Sequence, residues 1–211
     1  MELTKINLQQ SDKTYYSAKK EPQLVHLDSY YYLSISGKGD PNGELFMKAI
    51  EGIYSIAYGI KFLCKGEDND FTVPKMECLW WINGGLENQR NFIKAKRNDW
   101  NWKILLRMPE VVDSSHYFKA VSNAKQKKPE LISILEQVKF ELINEGDCVQ
   151  ILHLGSYEEE TPNILKMINY IQENGWKITN YHKEIYLTDP RKTATEKLKT
   201  ILRYQVQTSK P

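Results

Sequence analysis

The chain has 211 residues, 41% hydrophobic, 27% charged and 11% aromatic, with 29 Lys and Arg against 27 Asp and Glu. Such a chain can bury a sizeable core, and its net charge of +2, spread among interspersed signs, argues against direct nucleic-acid binding. No apolar run approaches the ~20 residues of a membrane span, and Met1–Lys5 lacks the basic-then-apolar layout of a signal peptide. A soluble, cytoplasmic protein with no membrane contact is therefore expected.

In chain order, residues 29–38 alternate as a strand that ends at Gly37, and Gly39–Gly43 form a turn able to lead into a helix. Phe46, Ile50, Ile53, Ala57 and Ile60 then recur on one helical face. A charged loop, Lys65–Asp70, precedes a β-rich run over 71–82 and a strand from Trp100 to Arg107. Asp113 caps a helix carrying Tyr117, Phe118 and Val121, which Pro129 breaks. The alternation Val138, Phe140, Leu142 suggests an extra strand before Glu145-Gly146. Residues 148–155 make a further strand ending at Gly155, and Thr161-Pro162 reads as an N-cap with proline at the first helical position. Ile164, Leu165, Ile168 and Ile171 give that helix its buried face, and Gly175 stops it. Strands over 182–188 and from Thr200 to Val206 complete the chain.

Each half thus reads strand, helix, strand, strand. The expected fold class is α+β, with tandem pseudo-two-fold modules in one domain over residues 1–211. The first repeat spans about 24–110, a linker helix and strand 113–147, and the second repeat about 148–207. Antiparallel sheets commonly cover one face and leave the other free. Two halves side by side put both helices on one face and leave a ligand groove between the halves on the other.

The standard catalytic motifs are absent. Cys64, Cys78 and Cys148 have no metal-ligand or disulfide spacing, and His26, His116, His153 and His182 make no paired pattern. In the repeat register Glu77 falls opposite Glu184, two acids in apolar strands where Glu has poor propensity. Alternation groups Glu77 with Leu79 and Trp81, and Glu184 with Tyr186, so both carboxylates can approach one groove. The plainer reading is a pair of solvent-facing strand acids. Against it stand the neighbouring rings, which desolvate a carboxylate and raise its pKa toward the range of a general base. Tyr54 and Tyr58 share a helix face, Trp100 and Trp102 a strand face, and Tyr157 follows the Gly155 turn, offering slabs for a flat ligand or a lipophilic cation. His153 joins the candidates because histidine is a common proton carrier, although a lone strand histidine is more often a satisfied structural residue.

His153-Leu-Gly155-Ser-Tyr157, the helix running to Asn174-Gly175, and His182-Lys-Glu184-Ile-Tyr186-Leu-Thr-Asp-Pro190 together resemble the GyrI-like small-molecule-binding family. In that family an acid at the position of Glu184 lies at the floor of an aromatic pocket. The long form here, with Gly37-Lys-Gly39-Asp-Pro-Asn42, Tyr54, Tyr58-Gly-Ile-Lys61-Phe and Met76-Glu77-Cys-Leu-Trp-Trp81, is similar to a stand-alone branch that includes cyclopropanoid cyclopropyl hydrolases. The resemblance implies a planar hydrophobic small molecule as partner and chemistry that needs no metal or cofactor. Glu184 would be the base, with Tyr186 or Tyr157 as hydroxyl donors. Tyr54, Tyr58, Trp81 and Trp102 would stack on the ligand, and Glu77 would share the base role or meet polar ligand edges. A non-catalytic binder or sensor of hydrophobic cationic drugs is the alternative it implies. Residues 1–28 are too short for a helix-turn-helix ahead of the domain.

Overall fold

A computed structural model describes residues 5–88 and 94–208; Met1–Thr4, read above for targeting, lie outside them. Two short helical segments, α1 (Leu8–Ser11) and α2 (Lys13–Tyr16), come first. Asp12 joins them: its carboxylate accepts from the Tyr15 backbone N–H at 3.0 Å and pairs with Arg107 at 2.7 Å. The first half then runs β1 (Gln23–Lys38), α3 (Glu44–Gly66), β2 (Glu77–Trp81) and β3 (Asn101–Arg107). Helices α4 (Ser114–Lys127) and α5 (Ile132–Leu135) lead into β4 (Lys139–Leu154), α6 (Thr161–Glu173), β5 (Lys177–Ile178), β6 (His182–Tyr186) and β7 (Lys199–Gln207). The α+β class and the repeated strand–helix–strand–strand order are as expected. Among the described residues no helix is long and apolar enough to cross a membrane.

The antiparallel sheet runs in the order β4-β1-β3-β2-β6-β7-β5, and an additional β4–β7 pairing closes it into a barrel, with β5 added beside β7. Closure depends on the two longest strands. β4 runs along β1 from Lys139 to Gln150 and along β7 from Cys148 to Leu154. The extra strand expected near Phe140 and the strand expected from Cys148 are therefore one element. Gly146, at φ +58°, bends the chain where a break was expected, yet it still pairs with Leu27. β1 correspondingly starts at Gln23 rather than Ser29. In the run over 71–82 the sheet strand starts at Glu77, beyond Pro74, which has no amide hydrogen for a ladder, while Phe71 makes an isolated parallel bridge to Ile6.

Alternation assigns the two sheet faces. Outward residues Leu33, Ile35, Ile104 and Leu106 pack under Phe46, Ile53, Ala57 and Ile60 of α3. Outward Val149, Ile151, Leu202 and Tyr204 pack under Ile164, Met167, Ile168 and Ile171 of α6. Leu165, expected in that buried face, is 48% exposed, and Met167 takes its place. Each such aliphatic side chain stabilises by roughly 1.5–3 kcal/mol when fully buried. Both helices thus lie on one face, as expected. The opposite face is not an open groove, because closure makes it the barrel interior, filled by Tyr15, Tyr32, Leu79, Leu105, Ile185 and Ile201.

Candidate functional site

The interior holds a charge network. Glu77, wholly buried, accepts from the Tyr15 hydroxyl at 2.6 Å and from Lys183 Nζ at 2.8 Å. Lys183 also donates to Glu145, which accepts from the Tyr32 hydroxyl at 2.7 Å. Arg203 donates to Gln150 Oε1 and, at 2.7 Å, to the Tyr15 carbonyl. Burial alone would lower the Lys183 ammonium, but Glu145 and Glu77 more than offset it and hold its pKa up. Burial likewise opposes a low pKa at Glu145, and Lys183 and Arg203 overcome it. Two acids and two bases cancel, and the N-terminal segment seals them in through Tyr15. This assembly is a lock.

The second acid lies on the other face. β2 and β6 pair with Cys78 opposite Glu184 and Glu77 opposite Ile185, one residue away from the register the repeats suggested. Glu184 therefore points outward while Glu77 points in, and the two carboxylates do not share a groove. This corrects the expectation of a converging pair. Strand β6 lies between β2, on the α3 side, and β7, on the α6 side. Its outward residues His182, Glu184 and Tyr186 face the seam between the two helical layers.

Around Glu184 the groups are close. Tyr186 lies beside Glu184, and burial followed by that carboxylate lifts the phenol well above its ordinary pKa. The indole N–H of Trp80, outward on β2, donates to the Tyr186 hydroxyl at 3.1 Å. Tyr157 stands edge-on to Tyr186, ring centres 5.6 Å apart, and its phenol is pushed up to about 12 by burial and then by Glu184. His182 Nε2 lies 3.5 Å from Glu184 Oε1. Glu160 completes the cluster: buried against Glu184, it is raised well above its ordinary pKa by desolvation first and by the neighbouring acid second. Glu160, not Thr161, is the N-cap residue of α6. Among the described residues, Glu160, His182 and Glu184 form the group whose donor atoms lie close enough, within 4.8 Å, to hold a metal ion.

The remaining candidates divide. Tyr54 and Tyr58 sit on α3 with ring centres 6.3 Å apart; Tyr58 is exposed, and burial pushes the Tyr54 phenol up to about 12. Trp81 points to the interior side with Glu77 and Leu79, stacked on Tyr181 at 4.7 Å, away from Glu184. Trp102 is a core residue, 1% exposed and edge-on to Phe46 beneath α3. His153 is buried between Asn163 Nδ2 at 3.0 Å and the Ser156 carbonyl at 2.8 Å, where it fastens the turn entering α6. None of these three makes a contact with Glu184. Sequence reasoning missed Glu160, hidden in an acidic run that looks like an ordinary helix start, and His182. The spacing of His182 two residues before Glu184 on a strand was the available signal.

A family model described as GyrI-like small molecule binding domain matches residues 104–207. No curated protein matches. Among solved structures, an uncharacterized conserved protein from Listeria innocua is 34% identical, with 96% of this chain aligned to 100% of that one and a TM-score of 0.86. A hydrolase from Listeria innocua is 34% identical over 96% of this chain and 100% of its own, with a TM-score of 0.82. A hydrolase encoded by lin2189 in the same organism is 33% identical over 97% and 100%, with a TM-score of 0.83.

Proposed function

This chain belongs to the GyrI-like small-molecule-binding family, and from that premise we propose that it is a cofactor-independent hydrolase of strained cyclopropane rings in planar, DNA-alkylating cyclopropanoid compounds. The two Listeria relatives named hydrolases support an enzymatic reading. The observation that carries it is the Glu184 carboxylate, on the outward face of β6 at the seam between the helical layers, beside Tyr186 and Tyr157.

A cyclopropane conjugated to a dienone opens when water attacks its methylene carbon. The new C–O bond forms as the strained C–C bond breaks, and the released electron pair converts the dienone into a phenolate. Glu184 takes one proton from the attacking water, and the phenolate is protonated in turn, so the product is substrate plus water. A positioned base supplies about 10²–10⁴-fold. Tyr186, aligned by the Trp80 N–H, orients the carboxylate. Tyr54, Tyr58 and Tyr157 offer rings to a flat ligand.

The test is incubation of the purified protein with a spirocyclopropyl-dienone alkylator, followed by ultraviolet spectrum and product mass. Catalytic gain of one water, reduced at least ~100-fold in Glu184→Gln, is the expected result. A second reading is a non-catalytic binder of hydrophobic cations, favoured by an acid set among rings with no lysine or arginine pair among the described residues. Unchanged alkylator with saturable tryptophan quenching would select it over hydrolysis.

A further inference from the structure

The two faces of the barrel treat buried acids differently. Inside, Glu77 and Glu145 sit with Lys183 and Arg203. Outside, Glu160 and Glu184 lie against each other, and among the described residues neither pairs with a lysine or arginine. Their ionisable company is the imidazole of His182. Glu160 Oε1 adds an independent sign: on a side chain of a residue only 4% exposed, it has no hydrogen-bond partner among the described residues. Stranding a buried carboxyl oxygen in this way carries a desolvation penalty that a ligand would remove. Nor does the Glu160 side chain cap α6, although it occupies the N-cap position.

We infer that Glu160, His182 and Glu184 form a site for one divalent transition-metal cation of the zinc class. Each contributes one donor atom, all three residues are buried, and the donors lie within 4.8 Å of one another. His182 Nε2 and Glu184 Oε1 are 3.5 Å apart, close to the spacing of two donors on bonds of about 2.0–2.1 Å in a tetrahedral site. One imidazole with two carboxylates suits zinc, cobalt, manganese or iron better than magnesium or calcium, which prefer oxygen alone. Two carboxylates and a divalent cation also sum to zero, the same neutrality the interior reaches with its lysine and arginine. The inference is independent of the hydrolysis reading except at Glu184, whose basicity toward a water proton falls when a cation is bound to it. Metal-loaded protein is therefore expected to turn over more slowly than stripped protein.

Full-length protein stripped with a chelator and titrated with Co²⁺ tests the site through its visible d–d absorption, with Zn²⁺ as competitor. One equivalent is expected to saturate the band. Glu160→Gln and His182→Gln are each expected to weaken binding by no less than the ~10–100-fold that losing an outer partner of a metal ligand costs. His26→Gln, at an exposed pair with Asp147, should leave binding unchanged. No saturable band up to about 1 mM Co²⁺, a weak affinity by any measure, overturns the site. A band that persists in both variants overturns it equally, because the metal then sits elsewhere. Should either variant lose its far-ultraviolet circular dichroism, the wild-type protein still decides: Zn²⁺ raises its Tm if the site exists and leaves it unmoved if not.

Discussion

Lys183 is the residue on which the interior depends, since it is the ammonium between Glu77 and Glu145. Removing one partner of a buried ion pair strands the others, so Lys183→Met is expected to cost about 3–5 kcal/mol in urea unfolding. The same network fixes a pH profile. The folded pKa of Glu145 is depressed, so its stabilising contribution is present above its unfolded value and fades as pH falls through the folded one. The folded pKa of Lys183 is raised, so its contribution is present below its unfolded value and is lost as pH rises through the folded one. A plot of Tm against pH should therefore show a plateau with losses at both ends, and Lys183→Met should flatten both. Little of this was legible in the sequence. Alternation correctly grouped Glu77 with Leu79 and Trp81, and Glu184 with Tyr186, but which group faces inward depends on a pairing register that no single strand encodes.

Element-level features were easier to read where one helix face or one cap carries the signal. Of the series Phe46, Ile50, Ile53, Ala57 and Ile60, all but the partly buried Ile50 are buried as the spacing demands, and Asp113 caps α4 in a box with His116. Asp113→Ala is expected to destabilise by about 0.5–2 kcal/mol, measured by thermal unfolding. Trp102 was harder, because a strand tryptophan serves a ligand or a core equally well until its neighbours are known. Its ring packs so closely on Gly37 that a Cβ there would collide with it. Gly37→Ala should therefore cost about 1–3 kcal/mol through overpacking, with a changed near-ultraviolet circular dichroism from Trp102 as its signature. The merger of two expected strands into β4 escaped notice for a related reason. Gly146 looks like a terminator in isolation, and the continuous β1 partner across from it holds the two segments in one register.

At the scale of the molecule, barrel closure ties the repeats together. β1 pairs with β4, and β2 with β6, so each half completes the other's sheet. Unfolding in urea is expected to give one transition, coincident by near- and far-ultraviolet circular dichroism; two separated transitions would mean that the halves are independent. One strand concentrates the consequence. β6 sends Lys183 and Ile185 to the interior and His182, Glu184 and Tyr186 to the outer seam. Deleting one residue from it would carry the lock's ammonium to the outer seam and drive an outer acid into the barrel interior, erasing both at once. Substitutions can drift on either side of such a strand during evolution, but its length cannot. Relatives should accordingly vary in length within loops such as Leu187–Leu198 and keep the count between His182 and Tyr186 unchanged.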